Sequence, residues 1–154
     1  ASGIAPIADY LDRGINVALG NDGPPCNNTL DPFTEMRQAS LLQKVDQLDP
    51  QATPAQVVFE MATLGGARAA GCETVGALRE GWAADVIALD TDLTRATPLF
   101  DPLSHLVFSA HGDDVTFTMV DGEAVYDEAF GGLQTGDADD IRERSRTVAG
   151  GLGD

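Results

Sequence analysis

Apolar positions three and four apart alternate along this chain with short apolar runs, and Gly, Pro and Asp mark each change of pattern. Ile7, Tyr10 and Leu11 stand at helical spacing behind Pro6 and ahead of Gly14, which predicts a short helix over 6–13. Val17, Ala18 and Leu19 then form an apolar run closed by Gly20, which predicts a strand over 15–19. Asp31 and Pro32 head a second helical pattern carrying Phe33, Met36, Leu41 and Val45, so a helix capped by Asp31 is predicted over 32–44. Thr53 as cap and Pro54 at the first position open another, with Val57, Val58, Met61 and Leu64 inward until Gly65 and Gly66. A further helical turn over 67–70 ends at Gly71.

From Val75 the pattern shortens into β-like runs. Strands are predicted over 76–81, 85–89, 106–109, 115–120 and 123–126. The last two are joined by Asp121-Gly122, a strong two-residue hairpin signal. Trp82 is expected to anchor the core of this β-rich unit, the alternative being a packing contact to a part outside this chain. A polar helix is predicted over 137–148, acidic at its start and carrying Arg142, Arg144 and Arg146 toward its end, and Gly150, Gly151 and Gly153 read as a frayed tail. The boundary between the helical and β-rich parts falls near 71–75.

Composition adds limits. A chain of 154 residues is long enough for one domain, and a domain of that size buries roughly 68–70% of its unfolded surface. With 43% hydrophobic residues and a mean hydropathy of -0.09 it reads as soluble and globular, and its apolar runs are too short to span a bilayer. The 25 acidic residues outnumber 9 basic ones, for a net charge of -16. Such a surface repels phosphate backbones and anionic lipids, which argues against nucleic-acid and membrane partners. The acid is spread along the chain, and Lys44 is the sole lysine, a balance that resembles proteins of salt-loving (halophilic) organisms, where salt screens self-repulsion. The first residues lack the basic start and apolar core of a signal peptide and begin without Met, as if continuing something longer. A cytoplasmic setting with Cys26 and Cys72 as free thiols is expected.

The candidate chemistry centres on Asp22, placed just past the predicted strand in the turn Asn21-Asp22-Gly23-Pro24-Pro25. An isolated Asp-Gly is more often a turn residue bonding its own backbone. In parallel α/β folds, however, catalytic groups stand just beyond the C-terminal ends of strands. Residue patterns alone leave both readings open. His105 and His111, the two histidines of the chain, have a spacing that suits neither a helix face nor one strand face, and read as surface or edge-strand residues. Pro25-Cys26-Asn27-Asn28 lacks the second Cys and the His-x-Glu of a cytidine-deaminase zinc site, which is excluded.

Five ordered blocks carry a resemblance: GIAPIADYLDRGINVALGNDG, NNTLDPFTEMRQASLLQK, EMATLGGARAAG, VGALREGWAADVIALD and VDGEAVY. Together, over most of residues 3–126, they resemble the C-terminal part of the amidohydrolase superfamily. Within it the likeness is to the triazine hydrolase and adenosine-type deaminase branch, which includes methylthioadenosine and S-adenosylhomocysteine deaminases. The resemblance implies an α/β fold: the C-terminal part of a metal-dependent (β/α)8 barrel, with its last strand at 15–20, and the returning half of a small β-sandwich. The barrel end would be 1–72, the sandwich half 73–130, and a C-terminal helix and tail 131–154.

By the same resemblance Asp22 is a ligand of a divalent metal, zinc or iron, and the catalytic proton shuttle. Asn27 and Asn28 would be second-shell or substrate-loop residues. Glu35 and Arg37 could brace this loop or pair on the helix surface. Asn21 stands where the family more often has Thr or Ser. The family's His-x-His pair and its further histidines and acid have no match here, so most metal ligands are absent from the chain and the isolated chain is expected to be inactive. The implied activity is metal-activated hydrolysis, a deaminase acting on an adenosine-like or other nitrogen heterocycle. Triazine or chloro-hydrolysis and guanine-type deamination are the alternatives within the family. From another class, the chain could be a non-catalytic acidic protein-interaction module. The implied partner is a small heterocyclic substrate, with homo-oligomerisation left open.

Overall fold

In the computed structural model, which describes residues 3–150, the chain order is α1 (Ile7–Asp12), α2 (Pro32–Gln47), α3 (Ala55–Glu60), α4 (Gly66–Ala69), β1 (Val86–Leu89), α5 (Pro102–Phe108), β2 (Val115–Val120), β3 (Glu123–Asp127), β4 (Gly132–Leu133) and α6 (Ala138–Gly150). Two Asp-Pro steps start the helices that build the core. Asp31 is extended, its Oδ1 accepts the Phe33 N–H at 3.0 Å and its Oδ2 accepts the Thr34 hydroxyl at 3.1 Å. Asp101 repeats the arrangement at α5, taking the Leu103 N–H at 3.1 Å and the Ser104 hydroxyl at 2.6 Å. In each case the carboxylate satisfies donors that the first turn leaves free, and proline occupies a position whose N–H is not needed.

The strand predicted over 106–109 is therefore not formed. Leu106, Val107 and Phe108 belong to α5, because Asp101-Pro102 starts a helix there and the short apolar run merely covers its buried side. The predicted strand over 76–81 is likewise absent, and those residues form bends and a turn. Thr53 does not cap α3. It takes a positive φ of 45°, its hydroxyl is buried without a partner, and Pro54 holds the cap position. Gly65 and Gly66 do not end the helix either. A π-helical turn over Met61–Gly65 joins α3 to α4, which runs on to Ala69.

The core lies among helices. Phe33, Met36 and Ala39 of α2 meet Ala55 and Val58 of α3, Met61, and Val107 and Ala110 at the end of α5, with Ile7 of α1 at the margin. Val58 and Val107 are fully buried. Gln43 is also fully buried, and both ends of its amide are used: Nε2 donates to the Ala5 carbonyl at 2.8 Å and Oε1 accepts the Ala8 N–H at 3.3 Å. That pair fixes α1 across α2 and gives both polar ends of the buried Gln43 amide a partner.

The four strands form one antiparallel sheet in the order β1-β2-β3-β4. Asp121 and Gly122 both take positive φ, 49° and 83°, as a tight I′ hairpin requires. Leu89 and Val115, at one end of the sheet, reach the helical core. Trp82 is half-buried outside that core, with the Arg79 guanidinium 4.6 Å from its ring centre. α6 has no buried residue, and Gly150 is its last residue rather than part of a tail; Gly151 and Gly153 lie outside the described residues.

The predicted strand over 15–19 has no ladder partner among the described residues, since a strand exists only against another strand. Helix contacts seat this segment instead. Asn16 Nδ2 donates to the Gly65 carbonyl at 3.0 Å, and the Leu19 N–H reaches the Met61 carbonyl at 3.4 Å. A Cβ at Gly65 would lie 2.5 Å from the Val17 carbonyl oxygen, so the approach requires glycine. At Gly66 the nearest atom to such a Cβ is 3.9 Å away.

Two measurements follow. Gly65→Ala should lose about 1–3 kcal/mol in urea unfolding, the usual range for overpacking, whereas Gly66→Ala should be neutral or gain up to about 1 kcal/mol. The Ser104 hydroxyl, then the Ser104 N–H, holds the Asp101 carboxyl below the usual carboxylate range. A folded-state pKa below the unfolded one stabilises above the unfolded value, and the gain is lost as pH falls through the folded value. Asp101→Ala should thus destabilise at pH 7, and its difference from wild type should shrink as unfolding is repeated at increasingly acid pH.

Candidate functional site

The loop from Gly20 to Asp31 begins where the helix-seated segment ends and finishes on the cap of α2. Asp22 stands at its start with a positive φ of 57°, a conformation Asp tolerates better than most residues. Its side chain is exposed, and Oδ1 accepts the N–H of Gly23 at 2.8 Å. Oδ2 takes no hydrogen bond among the described residues. Locally, then, Asp22 is the turn residue that its Asp-Gly context predicts, with one carboxylate oxygen turned to solvent. Beside it the Asn21 Nδ2 is buried without a partner.

Past Pro24 and Pro25 the loop folds on the Gly23 carbonyl, which accepts the N–H groups of Cys26 at 2.9 Å and Asn27 at 3.0 Å. Asn27 Oδ1 accepts from the Thr29 hydroxyl at 3.1 Å and the Thr29 N–H at 3.4 Å, and its Nδ2 donates to the Glu35 carboxylate on the first turn of α2. Asn28 is exposed. Of the two ways Glu35 was expected to act, the structure shows contact with the loop. Arg37 turns elsewhere: its Nη2 donates to the Ala110 carbonyl at 2.8 Å, just past the end of α5, where a cation meets the negative end of the helix. Cys26 and Cys72 are exposed free thiols.

A catalytic zinc keeps three protein ligands and an open position. Among the described residues no group of three His, Cys, Asp or Glu side chains could hold a metal. His105 is half-buried on α5 with its Nε2 buried and unpartnered, so it is neither a surface nor an edge-strand residue; His111 is exposed and caps a short 3-10 turn. Of the sequence-predicted site residues, Asp22 presents an exposed carboxylate oxygen, a donor type suited to a divalent cation. An open groove lined by the apolar Leu11, Ile15, Val17, Val57 and Met61 and by the polar Asn16, Glu60 and Arg68 follows the segment that leads to Asp22.

The amidohydrolase family profile matches residues 1–125. The chain belongs to the amidohydrolase family. It is 52% identical over 128 residues to the 5'-deoxyadenosine deaminase of Methanococcoides burtonii, covering 83% of this chain and 29% of that protein. It is 47% identical over 126 residues to the 5-methylthioadenosine/S-adenosylhomocysteine deaminase of Nitratidesulfovibrio vulgaris, covering 82% of this chain and 28% of that protein. A crystal structure of an adenosine deaminase from Xanthomonas campestris with bound zinc superposes with a TM-score of 0.90 at 32% identity, over 95% of this chain and 33% of that one. The chain thus spans about a third of the length of the relatives it matches. Among the described residues no helix is long and apolar enough to cross a membrane.

Sequence reasoning did not find Gly65, whose lack of a Cβ admits the segment before Asp22, nor the link from Arg37 to Ala110. Gly65-Gly66 inside an apolar helical pattern was a usable signal, since glycine there costs stability unless something packs close. The Arg37 bond spans 73 positions and has no local mark. Arg37→Ala should cost about 1.5–3 kcal/mol in urea unfolding, the range for a hydrogen bond with a charged partner.

Proposed function

We propose that this chain is the C-terminal portion of a metal-dependent aminohydrolase that releases ammonia from an adenosine-like nucleoside, with Asp22 as both metal ligand and proton shuttle. The reading places the end of the barrel in 1–72, the returning sandwich half in 73–130 and a C-terminal helix in 131–154. The observation that carries it is the position of Asp22: an exposed carboxylate with one unengaged oxygen, at the mouth of a segment clamped to a helix, in a chain about half identical to 5'-deoxyadenosine deaminases. The segment before Asp22 has no ladder partner among the described residues, which leaves its backbone available to neighbouring barrel strands.

A divalent metal, zinc or iron, supplies the acidity that makes water a nucleophile near neutral pH. The residues of this chain hold and move the protons. Asp22 accepts the proton released from water as the new carbon–oxygen bond forms at the ring carbon bearing the amino group. It then gives a proton to the leaving nitrogen as the carbon–nitrogen bond breaks, so that ammonia departs and a ring carbonyl remains. Asn27 fixes the loop behind Asp22, and Asn28 is free to face the substrate. With one ligand among its described residues, the 154-residue chain alone turns over no substrate.

The test uses the full-length enzyme loaded with zinc or iron and follows ammonia release from 5'-deoxyadenosine and methylthioadenosine. Asp22→Asn should lower kcat by at least about a hundredfold, the scale of a lost general base, while shifting folding stability by no more than about 0.5 kcal/mol, as for an exposed site. Turnover by the 154-residue chain alone, or an active Asp22→Asn enzyme, contradicts the proposal.

A further inference from the structure

We propose that Glu35 is a positioning residue for Asp22 and acts through Asn27. Its catalytic consequence rests on the reading of Asp22 given above; the brace itself does not. Between Pro24 and Leu30, Asn27 alone is not exposed, so no buried apolar side chain holds this loop and polar contacts must do so. Asn27 commits every polar group it has on that side: its N–H to the Gly23 carbonyl, its Oδ1 to Thr29 and its Nδ2 to Glu35. Of these, the bond to Glu35 is the one that leaves the loop and reaches a helix. It is charge-assisted, hence among the stronger kinds. Glu35 is itself held on the first turn of α2, where the helix dipole favours its negative charge.

The geometry carries a directional constraint. Gly23, whose carbonyl receives the Asn27 N–H, is also the residue whose N–H meets the Asp22 carboxylate. The order Glu35, Asn27, Gly23, Asp22 is a continuous series of contacts from a rigid helix to the functional carboxylate. Displacing a reacting group by about 1 Å can cost on the order of a hundredfold in rate, so loosening this series should reach kcat without removing any group that touches substrate.

Polarity exchange across the pair is the test. Asn27→Asp sets a carboxylate against Glu35 and repels it, and the double variant Asn27→Asp with Glu35→Gln restores a donor and an acceptor in reversed order. In the metal-loaded full-length enzyme, Asn27→Asp should lower kcat by about tenfold or more with KM within about threefold, and the double variant should return kcat to within about threefold of wild type. Amide exchange at Cys26 and Asn27, whose N–H groups bond Gly23, should quicken by about tenfold in Asn27→Asp and slow again in the double variant. Should Asn27→Asp fail to fold, Glu35→Ala and Glu35→Gln carry the same test: Gln keeps the acceptor and stays near wild type, Ala does not. A double variant no better than Asn27→Asp, or unchanged exchange in both Asn27→Asp and Glu35→Ala, overturns the proposal. A wild-type enzyme without deaminase turnover defeats the functional reading instead, and the exchange rates still decide on the brace.

Discussion

The close passage of the Val17 backbone over Gly65 is the constraint on which the rest of the site depends. Without a Cβ at 65, the segment before Asp22 can lie against the helix, and the carbonyls at the two ends of the π-helical turn, Met61 and Gly65, receive hydrogen bonds from Leu19 and Asn16. π-turns of this kind occur at functional sites because they offer backbone groups that a regular helix keeps to itself. Among the described residues, then, helix contacts rather than strand pairing set where the loop of Asp22 begins.

Its other end is set by α2. Asp31 caps the helix, Glu35 holds Asn27, and Arg37 two residues further on grips Ala110 just past the end of α5. The same helix contributes Phe33, Met36 and Ala39 to the core and Gln43 to the tie with α1. The loop is thus suspended between two helical anchors that share one core, while its own side chains stay mostly exposed. Rigid ends and a polar middle give an exposed carboxylate a defined place without burying it.

Much of this was legible in the sequence where the signal was local. Asp31-Pro32, the Asp121-Gly122 hairpin and the short helix behind Pro6 each carry a residue whose backbone preference suits its position, and each was found where predicted. Asp101-Pro102 carries the same mark as Asp31-Pro32, yet the run Leu106, Val107, Phe108 suggested a strand, because a few apolar residues in a row fit a buried helix turn as well as a strand. The run over 15–19 read as a strand for the same reason, but strand geometry depends on a neighbour that no single segment encodes. Asp22 shows the limit most clearly. Its turn conformation follows from Asp-Gly, whereas its candidacy for chemistry came from the order of five blocks over more than a hundred residues. The contact between Asn27 and Glu35 lay between, since two polar residues eight apart across a helix start admit pairing without requiring it.

The central claim is that Asp22 meets a metal with the oxygen its turn leaves free. Diffraction from crystals of the zinc-loaded full-length enzyme, recorded at the zinc absorption edge, locates the metal directly. The account predicts an anomalous peak within about 2.2 Å of an Asp22 carboxylate oxygen, the ordinary zinc–oxygen distance, with Asn27 still bonded to Glu35. A fully coordinated zinc whose ligands do not include Asp22 would contradict it.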